Sequence, residues 1–487
     1  MINLIVFVTG AAVMVLELLG SRILAPFVGS SLLVWTNLIG VIMASLSFGY
    51  WLGGRIADRA TQLALMARIL ILAAATVACI RIFYEPLLST LQLTQLALHW
   101  QALLGGIVLF VLPSTLLAMI SPYAVRLTLQ RITSSGQTVG RLSALATLGS
   151  IIGTFGAGLW LIPTFGTKTL LILLGSTLLA LSLPVVITQK RELPLWIITV
   201  LLMIFAARSA PYLAVMDFDT AYSHIWIQEA VTANGQPVRY FRQNHDFSSG
   251  MYLNDPNALL FPYTQVYDLA FAYQPNLTHS LLIGGAAYSY PKNYLANHPT
   301  ATLDVVEIDP AVTALAKRFF YLSDSPRLQI FHQDARSFLN TTSSRYDAIF
   351  VDAFNSETIP FHLTTVEVAA SLKRLLSADG LVLTNVIASL RGSNSRFLWA
   401  EYATYKTQFP YVTVYQVDPT LPAEQTQNIM LVAHTALPNV VSQPTNPVVA
   451  TALSSRLDYP LVTEPVLTDD FAPVEYLVAH AVSNVVE

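Results

Sequence analysis

Four acidic residues sit at or just beyond the ends of short apolar runs. Glu307 closes Leu303-Asp304-Val305-Val306, Asp309 follows two positions later, Asp334 follows Leu328–His332, and Asp352 closes Ala348–Val351. A further run, Leu281-Leu282-Ile283, ends in Gly284-Gly285, and Glu307 lies about 20 residues beyond these glycines. A glycine turn lets a ligand come close to backbone, and a carboxylate at that spacing accepts from the hydroxyls of a ribose. A phosphate would call for basic side chains and backbone donors, so this acidic rim suits a cationic nucleoside better. On this reading Glu307 grips the ribose, Asp334 accepts from an exocyclic adenine amine and Asp352 faces the reacting partner. Strand-end acids also cap helices, and Asp309-Pro310 reads as a cap followed by a first-turn proline.

Such residues converge only if parallel strands carry them to one rim. From 264 onward strand-like and helix-like segments alternate: Thr264–Tyr273 (helix), Ser280–Ile283, Pro291–Asn297 (helix), Leu303–Ile308, Ala311–Phe320 (helix), and so on to Ile429–Val432. This alternation predicts a mostly parallel sheet covered by helices, with the ligand at the carboxyl ends of the strands. Ahead of it, His224–Val231, the turn Asn234-Gly235 and Val238–Phe241 predict a β-hairpin, and Ser249–Leu253 a third strand. Residues 437–473 hold six prolines and read as an extended tail or cover.

The chain is 487 residues long, 54% hydrophobic and only 11% charged, which excludes an ordinary soluble protein. The excess is in the first 207 residues, where 11 Lys and Arg face 4 Asp and Glu; the remainder has 15 and 25. Seven apolar runs lie there: Asn3–Leu24, Leu32–Leu52, Leu63–Phe83, Ala102–Ile120, Val139–Ile162, Thr169–Ile187 and Leu193–Ala207. Runs of about 20 residues span a hydrocarbon core ~30 Å thick, so a multi-span helical domain is expected, with the last run short. Glu17, Arg22, Arg55 and Asp58 read as structural ion pairs between spans or as a polar path, and Gly149, Gly153, Gly156 and Gly158 as close helix packing. The single cysteine, Cys79, excludes a disulfide framework, and no metal site is expected.

Two arguments about sidedness collide. Arg55, Arg59, Arg68, Arg126, Arg131, Arg141, Lys190 and Arg191 share one set of loops, which the positive-inside rule places in the cytoplasm. Seven crossings would then put the acidic domain outside, away from cytoplasmic nucleosides. The ligand argument predicts a cytoplasmic domain and a seventh run that stops short of crossing.

The segments LLIGGAAYSYP, DVVEIDP, HQDARSFL and YDAIFVDAFNSETIPFHLTTVEVAASLKRLLSADGLVLTNVI resemble the polyamine aminopropyltransferases, the spermidine and spermine synthases. The stretches ELLGSRILAPFVGSSLLVWTNLIG and GYWLGGRIADR resemble their membrane-fused bacterial relatives. The resemblance implies a transmembrane helical domain (1–207), a linker with a small β subdomain (208–254), a Rossmann-like α/β domain of methyltransferase type (255–436) and a Pro-rich tail or cover (437–487). It implies aminopropyl transfer from decarboxylated S-adenosylmethionine to a diamine such as putrescine, releasing methylthioadenosine. No permanently bound cofactor is expected; the partners are a small-molecule amine, an adenosyl sulfonium and the lipid bilayer, with a homodimer allowed and nucleic acid excluded. The implied location is the bacterial inner membrane.

Carried over by position, the donor site comprises Gln265, Gly284, Gly285, Ala287, Glu307, Ile308, Asp334 and Ala335. The catalytic group comprises Asp352, Asn355, Tyr267 and Asp268, the last two resembling a Tyr-His-Glu segment that lines the amine site. Two departures stand out: Ala287 replaces an aspartate that holds the donor's propylamine, and Asn355 replaces the second acid of the catalytic loop. Asp469, Asp470 or Glu357 are candidates to replace them. The losses leave open a methyltransferase or lyase using intact S-adenosylmethionine, and a nucleoside sensor controlling a transporter-like membrane part.

Overall fold

The computed structural model describes residues 1–29, 31–94, 96–129, 135–209, 216–244, 246–354, 359–440, 444 and 446–478. It divides into two compact units, Met1–His224 and Ile225–Glu487.

The first unit is helical: α1 (Ile2–Val28), α2 (Leu32–Arg59), α3 (Leu63–Gln92), α4 (Leu98–Thr128), α5 (Ser135–Gly156), α6 (Ile162–Thr188) and α7 (Leu193–Arg208). Among the described residues, five apolar helical segments are long enough to cross a membrane by length and composition, the last of them, Ser135–Thr188, holding both α5 and α6. Small residues bring these helices together. A Cβ on Gly149 or Gly153 would strike the α1 backbone at Phe7 and Ala11, and one on Gly49 or Gly53 the α4 backbone at Thr115 and Met119. The expected packing glycines therefore divide, because a Cβ on Gly156 or Gly158 would meet nothing within 4 Å. Asp58 makes an interhelical ion pair with Arg126, at 3.5 Å, while Arg55 lies over the Trp51 ring.

Sixteen residues long, α7 packs on α3 and α6. Just before it, Glu192 takes a two-pronged bond from Arg68, at 2.9 and 2.5 Å; just after it, the Ser209 carbonyl accepts from Arg81 at 3.1 Å. Positions 68 and 81 on α3 are separated by about 20 Å at ~1.5 Å per residue. Helix α7 is thus tied to α3 at both of its ends, and with 16 residues it is shorter than the segments long and apolar enough to cross a membrane.

Beyond α7, the strand β1 (Met216–Asp219) is held to the helices by charge. Lys168 of α6 pairs with Glu85 of α3 at 2.7 Å and with Asp217, and Asp219 accepts from the Thr167 amide at 2.7 Å. His224 bridges Asp217 at 2.9 Å and Asp219 at 2.6 Å. These ties explain why the first unit extends to His224 rather than ending at 207.

The second unit opens with three antiparallel strands, β2 (His224–Val231), β3 (Pro237–Gln243) and β4 (Asp246–Tyr252), the first turn using Gly235 at φ 76° as the Asn-Gly signal predicts. The expected helix 264–273 is instead two short ones, α8 (Pro262–Val266) and α9 (Leu269–Tyr273). Then follow β5 (His279–Ile283), α10 (Ser289–Asn297), β6 (Thr302–Val306), α11 (Pro310–Phe319), β7 (Leu328–Phe331), α12 (Ala335–Thr341), β8 (Tyr346–Val351), α13 (Val366–Leu375), β9 (Leu376–Ala388), α14 (Arg396–Gln408), β10 (Tyr411–Gln416) and β11 (Gln427–His434).

Strands β5 to β11 form one sheet in the order β10-β11-β9-β8-β5-β6-β7; β5 to β9 run parallel, and β11 and β10 are antiparallel additions. This is a Rossmann-like, methyltransferase-type mixed sheet. Central strands buried on both faces explain the apolar runs Leu281–Ile283, Ala348–Val351 and Leu381–Leu383 within β5, β8 and β9. Chain order reverses between β5 and β8, which is where a ligand crevice opens in such sheets. The Pro-rich segment is a cover: it carries α15 (Pro447–Ser454) and α16 (Val474–Val478), and buries Val449, Leu467 and Val474.

Candidate active site

At that reversal the ends of β5 and β8 are joined, the Asp352 amide donating to the Ile283 carbonyl at 2.9 Å. Gly284 then turns at φ 97°, and a Cβ there would collide with the Asp352 carbonyl oxygen, so both its conformation and its neighbour require glycine. Glu307 reaches into this turn. One carboxylate oxygen accepts from the Gly285 amide and the other from the Asp309 amide, each at 2.9 Å. Burial pushes its pKa above the usual carboxylate range, and these backbone donors oppose the rise. Asp309 caps α11 through the Ala311 amide at 2.9 Å, in the structural role expected for it.

Around this turn lies a cavity of about 410 Å³ whose lining includes Asp246, Glu307, Asp334 and Asp352. No Lys or Arg lines it among the described residues, and His362 is its one imidazole. Asp334 caps α12 through the Ser337 amide at 2.9 Å and lies 3.4 Å from the His362 ring. Asp352 accepts from Asn385 at 3.1 Å and from the Tyr263 hydroxyl at 3.4 Å. Burial raises the pKa of Asp352 to about 6; Asn385, Tyr267 and Tyr263 act against that rise. A carboxyl group with this pKa is mostly ionised at neutral pH yet can take up a proton, as a general base must.

Of the residues expected at the donor site, Gly284, Gly285, Glu307, Ile308, Asp334 and Ala335 line the cavity, and Gln265 and Ala287 do not. Ala287 is fully buried, and Gln265 turns to Asn446 at 3.1 Å. Tyr267 and Asp268 are also absent from the wall. Tyr267 is buried behind Tyr263, with ring centres 6.1 Å apart, and Asp268 has its pKa raised to about 7 by burial. Asn355 and Glu357 lie outside the described residues. Asp469 is engaged by Arg336 at 2.6 Å and by Thr365 at 2.7 Å and does not line the cavity, nor does Asp470. Among the described residues no group of three or more His, Cys, Asp or Glu could hold a metal ion.

Several lining residues escaped the sequence reading. Tyr263 borders the cavity beside Asp352, four residues before Tyr267. Asp246, Asn385 and Asn428 gave weaker signals: an acid at a hairpin edge and two amides inside otherwise apolar strands.

Comparison with known proteins falls on this same segment. Residues 263–390 match the spermine/spermidine synthase domain. A polyamine aminopropyltransferase of Vibrio vulnificus is 32% identical over 184 residues, 37% of this chain and 58% of that protein. A probable polyamine aminopropyl transferase of Bifidobacterium longum is 25% identical over 243 residues, 45% of this chain and 54% of the other. The chain thus spans little more than half the length of these curated relatives. A solved probable spermidine synthase from Corynebacterium glutamicum covers 47% of this chain and 81% of its own, at 24% identity and a TM-score of 0.40. Within the matched residues 263–390 lie Tyr263, the Gly284 turn, Glu307, Asp334, Asp352 and Asn385; Asp246 and Asn428 fall outside them.

Proposed function

We propose that the second unit transfers an aminopropyl group from decarboxylated S-adenosylmethionine to a diamine such as putrescine, and that the first unit holds it in the bacterial inner membrane. The observation that carries this reading is the cavity at the β5/β8 reversal, walled by four carboxylates and, among the described residues, by no Lys or Arg. Both reactants are cationic, and their ammonium groups suit that wall. The carboxylate of an intact S-adenosylmethionine would be repelled by it.

In this reading Glu307, already fixed by two backbone amides, takes the ribose hydroxyls on its remaining lone pairs. Asp334 with Ala335 receives the adenine, and Ile308 supplies an apolar wall. Asp352 hydrogen-bonds the acceptor nitrogen. The nitrogen lone pair attacks the propyl carbon next to sulfur; the C–S bond breaks, its electrons stay on sulfur as neutral methylthioadenosine, and the nitrogen's proton passes to Asp352. The sulfonium supplies the leaving group, so the chain's task is alignment and proton removal. With Ala287 buried off the cavity, Asp246 is the acid we assign to hold a spectator ammonium.

Purified full-length protein incubated with each donor, with and without putrescine, tests the assignment by mass spectrometry. Methylthioadenosine and spermidine should appear together, and only when the decarboxylated donor and the diamine are both present. A methylated product, or methylthioadenosine released from the intact donor alone, would overturn it.

A further inference from the structure

We infer that Asn428, on the antiparallel strand β11, is a positioning residue for Asp352 and acts through the side-chain amide of Asn385. The inference rests on the aminopropyl-transfer reading for its kinetic consequence and on geometry for its existence. The Asn428 amide nitrogen donates to the Asn385 side-chain oxygen at 3.0 Å, and the Asn385 amide nitrogen donates to Asp352 at 3.1 Å. In the β9/β11 register Asn385 is opposite Met430 and Asn428 opposite Ile387, so the two asparagines are diagonal neighbours on one face, within side-chain reach. Both line the cavity.

A carboxamide has one accepting end and one donating end. While Asn428 occupies the accepting end, Asn385 can offer Asp352 only its N–H, which favours the ionised carboxylate. Once Asn428 no longer donates, Asn385 can turn over and offer its oxygen, and two acceptors then face each other in a site where Asn385 is only 3% exposed. The repulsion is relieved when Asp352 takes up a proton, and a protonated Asp352 cannot accept one from the amine. The other groups facing Asp352 are the hydroxyls of Tyr263 on α8 and of Tyr267 beyond it. The ionisable groups bordering the same cavity are Asp246 on β4, Glu307 after β6, Asp334 before α12, and His362. The orientation of Asn385 is set from β11, a strand beyond residues 263–390.

The test uses the full-length protein with Asn428→Asp, which keeps shape but replaces the donor with a second acceptor, and Asn428→Ser, which keeps a donor. In Asn428→Asp the new carboxylate takes the Asn385 N–H and turns its oxygen toward Asp352. The acid limb of kcat against pH should move up by about one unit, a roughly tenfold loss of turnover near the limb, while calorimetric affinity for methylthioadenosine stays within about twofold. Asn428→Ser should keep the limb near its original position. An unmoved limb in a folded Asn428→Asp variant would overturn the inference, and so would an equal shift when the same change is made in an Asn385→Ala chain, where only direct repulsion between the two carboxylates acts. If the unaltered protein transfers no aminopropyl group, the functional reading fails separately. The relay is then judged by carbon NMR titration of aspartate-labelled protein, with Asp352→Asn to identify the resonance: a midpoint raised by Asn428→Asp more in the original chain than in Asn385→Ala supports it, and an unchanged midpoint or an equal rise in both overturns it.

Discussion

Glu307 combines two tasks, since the same carboxylate that is suited to ribose also fastens the glycine turn. Glu307→Ala should therefore weaken methylthioadenosine binding by at least tenfold, about 1.4 kcal/mol, because a charged acceptor contributes roughly 1.5–3 kcal/mol. Calorimetry on a folded variant checks this, and unchanged affinity would remove the ribose role. For Asp352→Asn, turnover should fall by about 100-fold or more with little change in methylthioadenosine affinity. The pKa of about 6 gives the pH dependence a sign: activity falls as pH drops through 6 and the carboxylate is protonated. The same shift bears on stability. Because burial raises Asp352 above its unfolded value of about 3.9, ionising it between pH 4 and 6 costs folding free energy, as linkage requires. The neutral Asp352→Asn chain should accordingly melt a few degrees higher at pH 7, read by calorimetry in detergent; a lower melting temperature there would contradict this account.

Among elements, the segment from β1 to His224 depends on a cluster of opposite charges. Burial alone would lower the pKa of His224, but its bonds to Asp217 and Asp219 outweigh this and raise it to about 9. A raised histidine contributes stability that is complete below its unfolded pKa near 6.5 and lost as pH rises through 9. Proteolysis between residues 216 and 224 should thus accelerate between pH 6.5 and 9 in the original chain, and His224→Gln should be cleaved readily and with less pH dependence across that range. Elements whose signal is local were legible in the sequence: the β2/β3 hairpin from Asn234-Gly235, and β5, β6 and β8 from apolar runs ending in chemistry. The break between α8 and α9 was not, because 264–273 has helical periodicity throughout. Nor was the helix α15, since six prolines over 437–473 masked a segment whose first-turn proline, Pro447, in fact starts it.

For the molecule as a whole, sidedness turns on whether α7 crosses. A crossing α7 would carry the chain from the flank of Arg68 to the flank of Arg81 and leave it opposite the loops of Arg59, Arg126 and Arg191. The positive-inside rule then predicts that a reporter fused to Glu487 is active outside the cytoplasm and silent within it. A cytoplasmic signal would show that α7 does not cross. On the proposed reading, the donor half of the cavity could be read from the sequence because it follows strand order. The amine half could not, since Asp246 and Asn428 enter it from a separate hairpin and an antiparallel strand that spacing does not link to Asp352. The wall of carboxylates has a kinetic corollary. Under the proposed transfer, each aminopropyl addition would give the polyamine one more protonated nitrogen, so the field that draws the diamine in would hold the longer product more tightly, while uncharged methylthioadenosine would depart unopposed. At low ionic strength capture should be fast and polyamine release should limit turnover; added salt should slow the first and hasten the second, and kcat should rise while kcat/KM falls.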